Sequence, residues 1–164
     1  TEKANYKLDL KKLCVHEIIK DSININTFKI QKRGGVIKDN LTADISLIQG
    51  NYDHLLNVFN NLLDNSNKYS LDKPIINISS LNIKNFIEIS ISDQGIGIKK
   101  NNIDKIFDKF YREPQGNIHN VKGFGLGLSY VKNILTKHNA SISVESVVNK
   151  GTIFKIRFKK TNDA

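Results

Sequence analysis

The chain has 164 residues, 39 % apolar and 25 % charged, with ten Gly and two Pro, which excludes collagen-like, mucin-like and wholly disordered chains. No apolar run approaches the ~18 residues of a membrane span, no signal-peptide pattern opens the sequence, and the lone Cys14 excludes an internal disulfide framework and a Cys-rich zinc site. Lys and Arg number 25 against 16 Asp and Glu, a formal charge of +9, but Arg stands only at 33, 112 and 157 and the lysines are scattered, so no nucleic-acid partner is expected.

Val15, Ile18, Ile19 and Ser22 recur at helical spacing and predict a short amphipathic helix over residues 11–22. Phe28-Lys29-Ile30-Gln31 alternates like a strand, with Gly34-Gly35 as a turn after it. Thr42 to Ile48 is a second candidate strand. From Asn51 to Tyr69 the period changes, and Leu55, Leu56, Phe59, Leu62 and Leu63 form one apolar helical face. Pro74 follows, as expected after a helix end. Residues 75–79 and 86–92 alternate strictly and read as two strands. Ile103 to Phe110 reads as a short helix or turn, and Tyr111 to Lys122 as a mobile loop. A helix is expected from Gly123–Gly127 to about His138, then strands at 141–144 and 152–158. The pattern predicts a single α/β domain without repeats, a two-layer sandwich in which a mixed, mostly antiparallel sheet of about five strands carries three main helices on one face.

Three constellations could carry chemistry. Asn61, Asn65 and Lys68 fall within about 60° of one another on the long helix. Asn offers a hard amide oxygen to a cation such as Mg²⁺ and Lys a point charge to phosphate, while the plainer alternative is a solvated polar face. Asp93-Gln94-Gly95-Ile96-Gly97-Ile98 follows a strand. A carboxylate there, with glycines that admit close approach, suits a planar ring bearing an amino group, and an Asp-initiated turn is the alternative. Gly123-Phe124-Gly125-Leu126-Gly127-Leu128 opens a helix, where free backbone N–H groups attract anions, although a flexible hinge would use the same glycines. Leu128 breaks the dinucleotide fingerprint, and the phosphate-loop motif is absent too.

In order and spacing these pieces resemble the nucleotide-binding boxes of the catalytic domain of sensor histidine kinases, a family sharing its fold with gyrase, Hsp90 and MutL ATPases. Asn61 to Ser70 resembles the N box, Asp93 to Ile98 the first glycine box, Ile106-Phe107 to Phe110-Tyr111-Arg112 the F box, Gly123 to Leu128 the second glycine box, and Gly151-Thr152-Ile153-Phe154 the closing element. The resemblance spans about Leu8 to Phe158. It implies ATP and Mg²⁺ as ligands, with Asn65 on the metal and Asn61 supporting the metal–phosphate network. Lys68 and Arg112 would reach phosphates, Tyr69 would flank the adenine or ribose, and Asp93 would accept the adenine amine with Thr152 and water completing the contact. Gly95, Gly97 and Ile98 would border the base. Lys122, Gly123, Phe124, Gly125, Leu126, Gly127 and Leu128 would hold phosphates, and Phe107 and Phe110 would latch a lid over 111–122, although ordinary core is an equally compatible role for both.

Position 61 separates the branches of that family, because its ATPases place a Glu there to activate water. Asn cannot act as a base at neutral pH, which favours transfer to protein. Asn61, Lys68 and Arg112 are thus the expected catalytic set of a protein-histidine kinase. The family's phosphoacceptor pair, His-Glu followed by Pro on a dimerising hairpin, is missing. His16-Glu17 lacks the Pro and lies too near the N box, so His16 is expected to be an ordinary helix residue. The chain therefore resembles the ATP-binding part of a larger kinase, residues 1–10 being the tail of an upstream linker. The implied partners are that kinase's dimerisation domain and a response-regulator receiver domain. The parent would be a homodimer, anchored in the inner membrane or not, and this domain a monomer in the cytoplasm. A serine/threonine kinase of the anti-sigma type and a non-catalytic nucleotide-binding module are the alternatives.

Overall fold

The computed structural model describes residues 7–109, 111 and 126–161. A short strand, β1 (Lys11–Cys14), leads directly into helix α1 (Val15–Lys32). Strands β2 (Val36–Leu41) and β3 (Leu47–Gly50) precede helix α2 (Tyr52–Lys68). A hairpin of β4 (Ile75–Ile83) and β5 (Phe86–Asp93) follows, then a 3-10 helix at Lys100–Lys105. Helix α3 (Leu126–Lys137) and the hairpin of β6 (Ser141–Val147) and β7 (Gly151–Lys159) complete the described chain.

The main sheet runs β2-β4-β5-β7-β6, and β1 pairs with β3 in a separate two-stranded sheet. Only β2 against β4 is parallel; the other pairs of the main sheet are antiparallel. Alternation gives the sheet a buried face of Ile76, Ile78, Ile87, Ile89, Ile91, Phe154, Ile156 and Phe158, because successive strand residues point to opposite sides. Val15, Ile18, Ile19 and Ile30 of α1, Leu55, Val58, Phe59, Leu62 and Leu63 of α2, and Val131, Ile134 and Leu135 of α3 close over that face in one core. Each such side chain contributes about 1.5–3 kcal/mol on burial. The expected two-layer α/β architecture is what the chain adopts.

Two local expectations are corrected. Phe28–Gln31 is not a strand but the last turns of α1; Phe28 is 75 % exposed and Ile30 buried, so two residues on different helical faces imitate strand alternation. The helix also starts later and ends later than 11–22, at Val15–Lys32. Thr42–Ile48 is not one strand either. Residues 42–46 form a connection pinned to β4, where Ser80 Oγ accepts from the Ala43 amide at 3.2 Å and Asn82 Oδ1 from the Ile45 amide at 3.0 Å. Ladder pairing resumes only at Leu47.

Helix α2 has clear local causes. Asn51 caps it, its Oδ1 accepting from the His54 amide at 3.1 Å, an arrangement worth ~1 kcal/mol. The Asn51 amide itself donates to His138 Nε2 at 3.0 Å, and His138 Nδ1 bonds the Ile134 carbonyl at 2.8 Å. That neutral imidazole ties the end of α3 to the start of α2. At the other end Arg33 holds the carbonyls beyond the last turn, Ser70 O at 2.7 Å and Asp72 O at 3.4 Å, and bonds the Asn67 carbonyl as well.

Candidate functional site

The site lies where α2 ends beside the loop that follows β5. Asn61, Asn65 and Lys68 are half-buried on α2. The Asn61 Nδ2 donates to the Asn57 carbonyl at 2.8 Å, which fixes the amide so that Oδ1 faces away from its own helix. Opposite it stands Gly127, where a Cβ would lie 3.0 Å from Asn61 Oδ1. The absence of a side chain at residue 127 lets the first turn of α3 approach the Asn61 amide closely. Asn65, one turn further, makes no side-chain hydrogen bond to another described residue. Lys68 Nζ is paired with Asp64 at 2.8 Å, both side chains about one-third exposed.

The first glycine box is clamped from two sides. The Ile96 amide donates to the Tyr69 carbonyl at 3.0 Å, and the Asn149 amide to the Ile96 carbonyl at 2.7 Å. A Cβ at Gly95 would lie 2.7 Å from Tyr69 O, and one at Gly97, whose φ is +72°, 2.2 Å from Val147 O. These glycines serve close backbone approach rather than flexibility.

Asp93 closes β5 on the helix-facing side. Its Oδ1 accepts from the Gly95 amide at 2.9 Å, so the predicted Asp-initiated turn is present as well as the carboxylate. Burial raises its pKa, opposed by the Gly95 amide, the Ser66 hydroxyl and the Thr152 amide. Ser66 Oγ is fully buried and near enough to favour the charged carboxylate, yet the geometry closes no hydrogen bond to it or to any other described group. A buried hydroxyl left without a partner costs about 1–3 kcal/mol. An orphaned hydroxyl beside a half-buried carboxylate fits a site that takes a hydrogen-bonding ring.

Thr152 is buried on β7 next to Asp93. Its Oγ1 lies 2.9 Å from Ser146 Oγ, which also bonds the Gly151 carbonyl and accepts from the Ile98 amide, both at 2.8 Å. Phe107 is half-buried against the core and meets Phe154 edge-on at 6.4 Å, with Lys132 Nζ 5.9 Å from its ring centre. Leu128 also packs on the core. Both latch and core descriptions of Phe107 are thus compatible with its position. Phe110, Arg112, Lys122, Gly123, Phe124 and Gly125 lie outside the described residues, as does nearly all of the expected lid at 111–122.

The three separated boxes are brought to one end of the sheet. Asn61 meets Gly127, Tyr69 meets Ile96, and Asp93 meets Thr152. Ser66 and Ser146 were not singled out by sequence. Ser66 had a signal, since it falls one turn after Leu62 on the apolar stripe of α2. Ser146 had one only if β6 is carried past Val144, where it becomes the next core-facing residue. His16 is a structural residue: its Nε2 bonds Ser80 Oγ at 2.7 Å, and burial, then Lys20, lowers its pKa.

Residues 50–162 match the family described as histidine kinase-, DNA gyrase B-, and HSP90-like ATPase. The sensor protein RprX of Bacteroides fragilis is 44 % identical over 151 residues, 91 % of this chain but only 29 % of that protein. The chain therefore spans under a third of that relative. Among solved structures, the mycobacterial sensor histidine kinase MprB has a TM-score of 0.79 at 23 % identity, covering 94 % of this chain and 100 % of that one. The histidine kinase ThkA in complex with response regulator protein TrrA has 0.76 at 20 %, covering 93 % and 42 %.

Proposed function

The chain belongs to the histidine kinase-, DNA gyrase B- and HSP90-like ATPase family, and from that premise we propose that it is the ATP-binding catalytic domain of a sensor histidine kinase. It passes the γ-phosphoryl group of ATP to a histidine on a dimerisation domain lying upstream in the parent protein, for relay to a response-regulator receiver domain. Similarity to RprX, a sensor protein, and to ThkA, a histidine kinase solved together with the response regulator TrrA, supports those partners. The parent would be a homodimer and this domain a cytoplasmic monomer. No described helix is long and apolar enough to cross a membrane.

Asn61 carries the reading. A hydrolytic site needs a base four residues before Asn65, and the Asn61 amide, already donating to Asn57, cannot accept a proton from water. Transfer to a neutral imidazole needs no such base on this domain. Positioning supplies most of the catalysis in phosphoryl transfer.

The residues divide the work along one end of the sheet. Asp93 and Thr152 hold the base, with Tyr69, Gly95, Gly97, Ile98 and Phe107 around it. The backbone at Leu126–Leu128 offers the N-terminus of α3 to phosphate; by the family resemblance Lys122, Gly123, Phe124, Gly125 and Arg112 would add phosphate contacts and Phe110 a latch for the lid. Lys68 exchanges Asp64 for phosphate oxygen. Mg²⁺, held by Asn65 and supported by Asn61, would neutralise phosphate charge. The donor set fits it: both are hard carboxamide oxygens on one helix face.

The test is incubation with labelled ATP, with and without the parent's helical hairpin. The chain alone should bind ATP without labelling itself, and the hairpin should acquire an acid-labile, base-stable phosphate. Robust self-labelling, or an acid-stable phosphoester on the hairpin, would favour the serine/threonine-kinase alternative.

A further inference from the structure

Ser146 Oγ makes three contacts and has one proton. The Ile98 amide, 2.8 Å away, can only donate. The Gly151 carbonyl, also at 2.8 Å, can only accept, so the serine proton must go to it; otherwise two oxygens would face each other with no hydrogen between them. The third contact, Thr152 Oγ1 at 2.9 Å, can then be a hydrogen bond in one sense alone: the threonine donates and the serine accepts. All three contacts are satisfied by this assignment and by no other.

The consequence falls on the neighbouring residue. Thr152 is buried and sits between Ser146, its register partner on β6, and Asp93, which it faces one step beyond the last β5–β7 pair, Ser92 with Ile153. With its only hydroxyl proton committed to Ser146, Thr152 offers nothing but lone pairs on its other side. Asp93 beside it is a carboxylate, likewise an acceptor, and its Oδ1 is already turned toward the Gly95 amide.

We propose that Ser146 is a positioning residue that fixes Thr152 as a hydrogen-bond acceptor, so that Thr152 and Asp93 both turn acceptors to the C6 substituent of the base and select an exocyclic amine, which has two protons to give, over a carbonyl, which has none. This rests on the nucleotide-binding reading of the site. Ser146 touches no ligand. It acts by removing the freedom of the Thr152 hydroxyl to rotate and donate, a freedom that would let the site accept a 6-oxo purine. An acceptor–acceptor mismatch in a buried site is strongly discriminating because neither group can turn to water.

The experiment measures ATP and ITP affinities by calorimetry on the chain and on Ser146→Ala, Thr152→Val and the double variant. The wild type should prefer ATP. Ser146→Ala should reduce the ATP-to-ITP preference by about three- to tenfold, the worth of one neutral hydrogen bond, because the released hydroxyl can donate to the 6-oxo group. Ser146→Thr, which keeps a hydroxyl, should retain the preference. In the Thr152→Val background the serine substitution should leave the preference unchanged, which distinguishes orientation of Thr152 from general loosening of the loop. An unchanged preference in folded Ser146→Ala, or an equal loss in both backgrounds, would overturn the proposal. Should Ser146→Ala fail to fold, the hydroxyl proton of Thr152 in the wild type decides: an NOE from it to the Ser146 Hβ protons supports the assignment, and its absence overturns it. A wild type that binds neither nucleotide refutes the nucleotide reading itself, a result distinct from a preference indifferent to Ser146.

Discussion

The Ile96 amide donates to the Tyr69 carbonyl at 3.0 Å, joining the end of α2 to the loop after β5 by one main-chain hydrogen bond. Tyr69 follows Lys68 directly, and Ile96 lies between the two glycines of the first glycine box. That bond fixes the end of α2 against the first glycine box. Gly95 has to be glycine for this bond to form, since a Cβ there would lie 2.7 Å from the same carbonyl.

Gly97→Ala should be among the most damaging single substitutions in the site. The φ of +72° costs a non-glycine residue about 1–2 kcal/mol, and the added Cβ would sit 2.2 Å from Val147 O. Gly34→Ala is the control: it shares the φ of +72°, but its nearest neighbour is the flexible Lys73 side chain, at an ordinary 3.4 Å. Thermal melts should show Gly97→Ala lowered by about 5–10 °C and Gly34→Ala by about half that, at ~2–4 °C per kcal/mol for this size. Equal shifts would mean that the β6–β7 turn yields freely.

Arg33→Ala removes the guanidinium that holds Ser70 O at 2.7 Å and bonds Asn67. The group is exposed, so the loss should be about 1 kcal/mol rather than the larger value of a buried charge-assisted bond. ATP affinity should fall along with the melting temperature, because the released carbonyls adjoin Lys68 and Tyr69. Titration calorimetry that finds ATP affinity unaltered would separate this cap from the site.

Asn65→Ala should abolish most of the Mg²⁺-dependent part of the stabilisation by ATP. A ligand at 100 times its Kd adds about 2.7 kcal/mol by mass action. Melts with ATP, with and without Mg²⁺, measure that part directly. Persistence of the full Mg²⁺-dependent shift in the variant would reassign the metal.

Stability should decline on acidification below the ordinary imidazole value of 6.5, which burial lowers for His138 in the folded chain. Between that value and the lowered native one, the unfolded chain binds the extra proton first, so stability falls as pH falls. Protonation of Nε2 would also break the bond from the Asn51 amide. Urea midpoints should be higher at pH 7.5 than at pH 5.5, and His138→Gln should flatten the difference. Some slope should remain, since burial lowers His16 in the same direction. An identical slope in the variant would place the dependence elsewhere.

The long helix α2 and the β4–β5 hairpin were legible in the residues because each buries one face against one layer, so Leu55, Phe59 and Leu62, or Ile87, Ile89 and Ile91, write the period into the chain. The boxes were legible for a similar reason: Asn61, Asn65 and Lys68 keep helical spacing, and Gly95 and Gly97 answer a steric demand that no other residue meets. Phe28 defeated the same reasoning, an exposed apolar residue that supplied a false beat to the end of α1. What the chain could not state was anything depending on partners far along it. Residues 42–46 take their path from Ser80 and Asn82, 37 positions away; Asn61 meets Gly127 across the fold; and the proton on Thr152 is directed by Ser146. Periodicity and steric need are local, so sequence alone determined the elements that bury one clean face, such as α2 and the β4–β5 hairpin, and the residue types at the candidate site. Hydrogen-bond direction and close approach depend on where separate segments meet, and only the tertiary structure decided those.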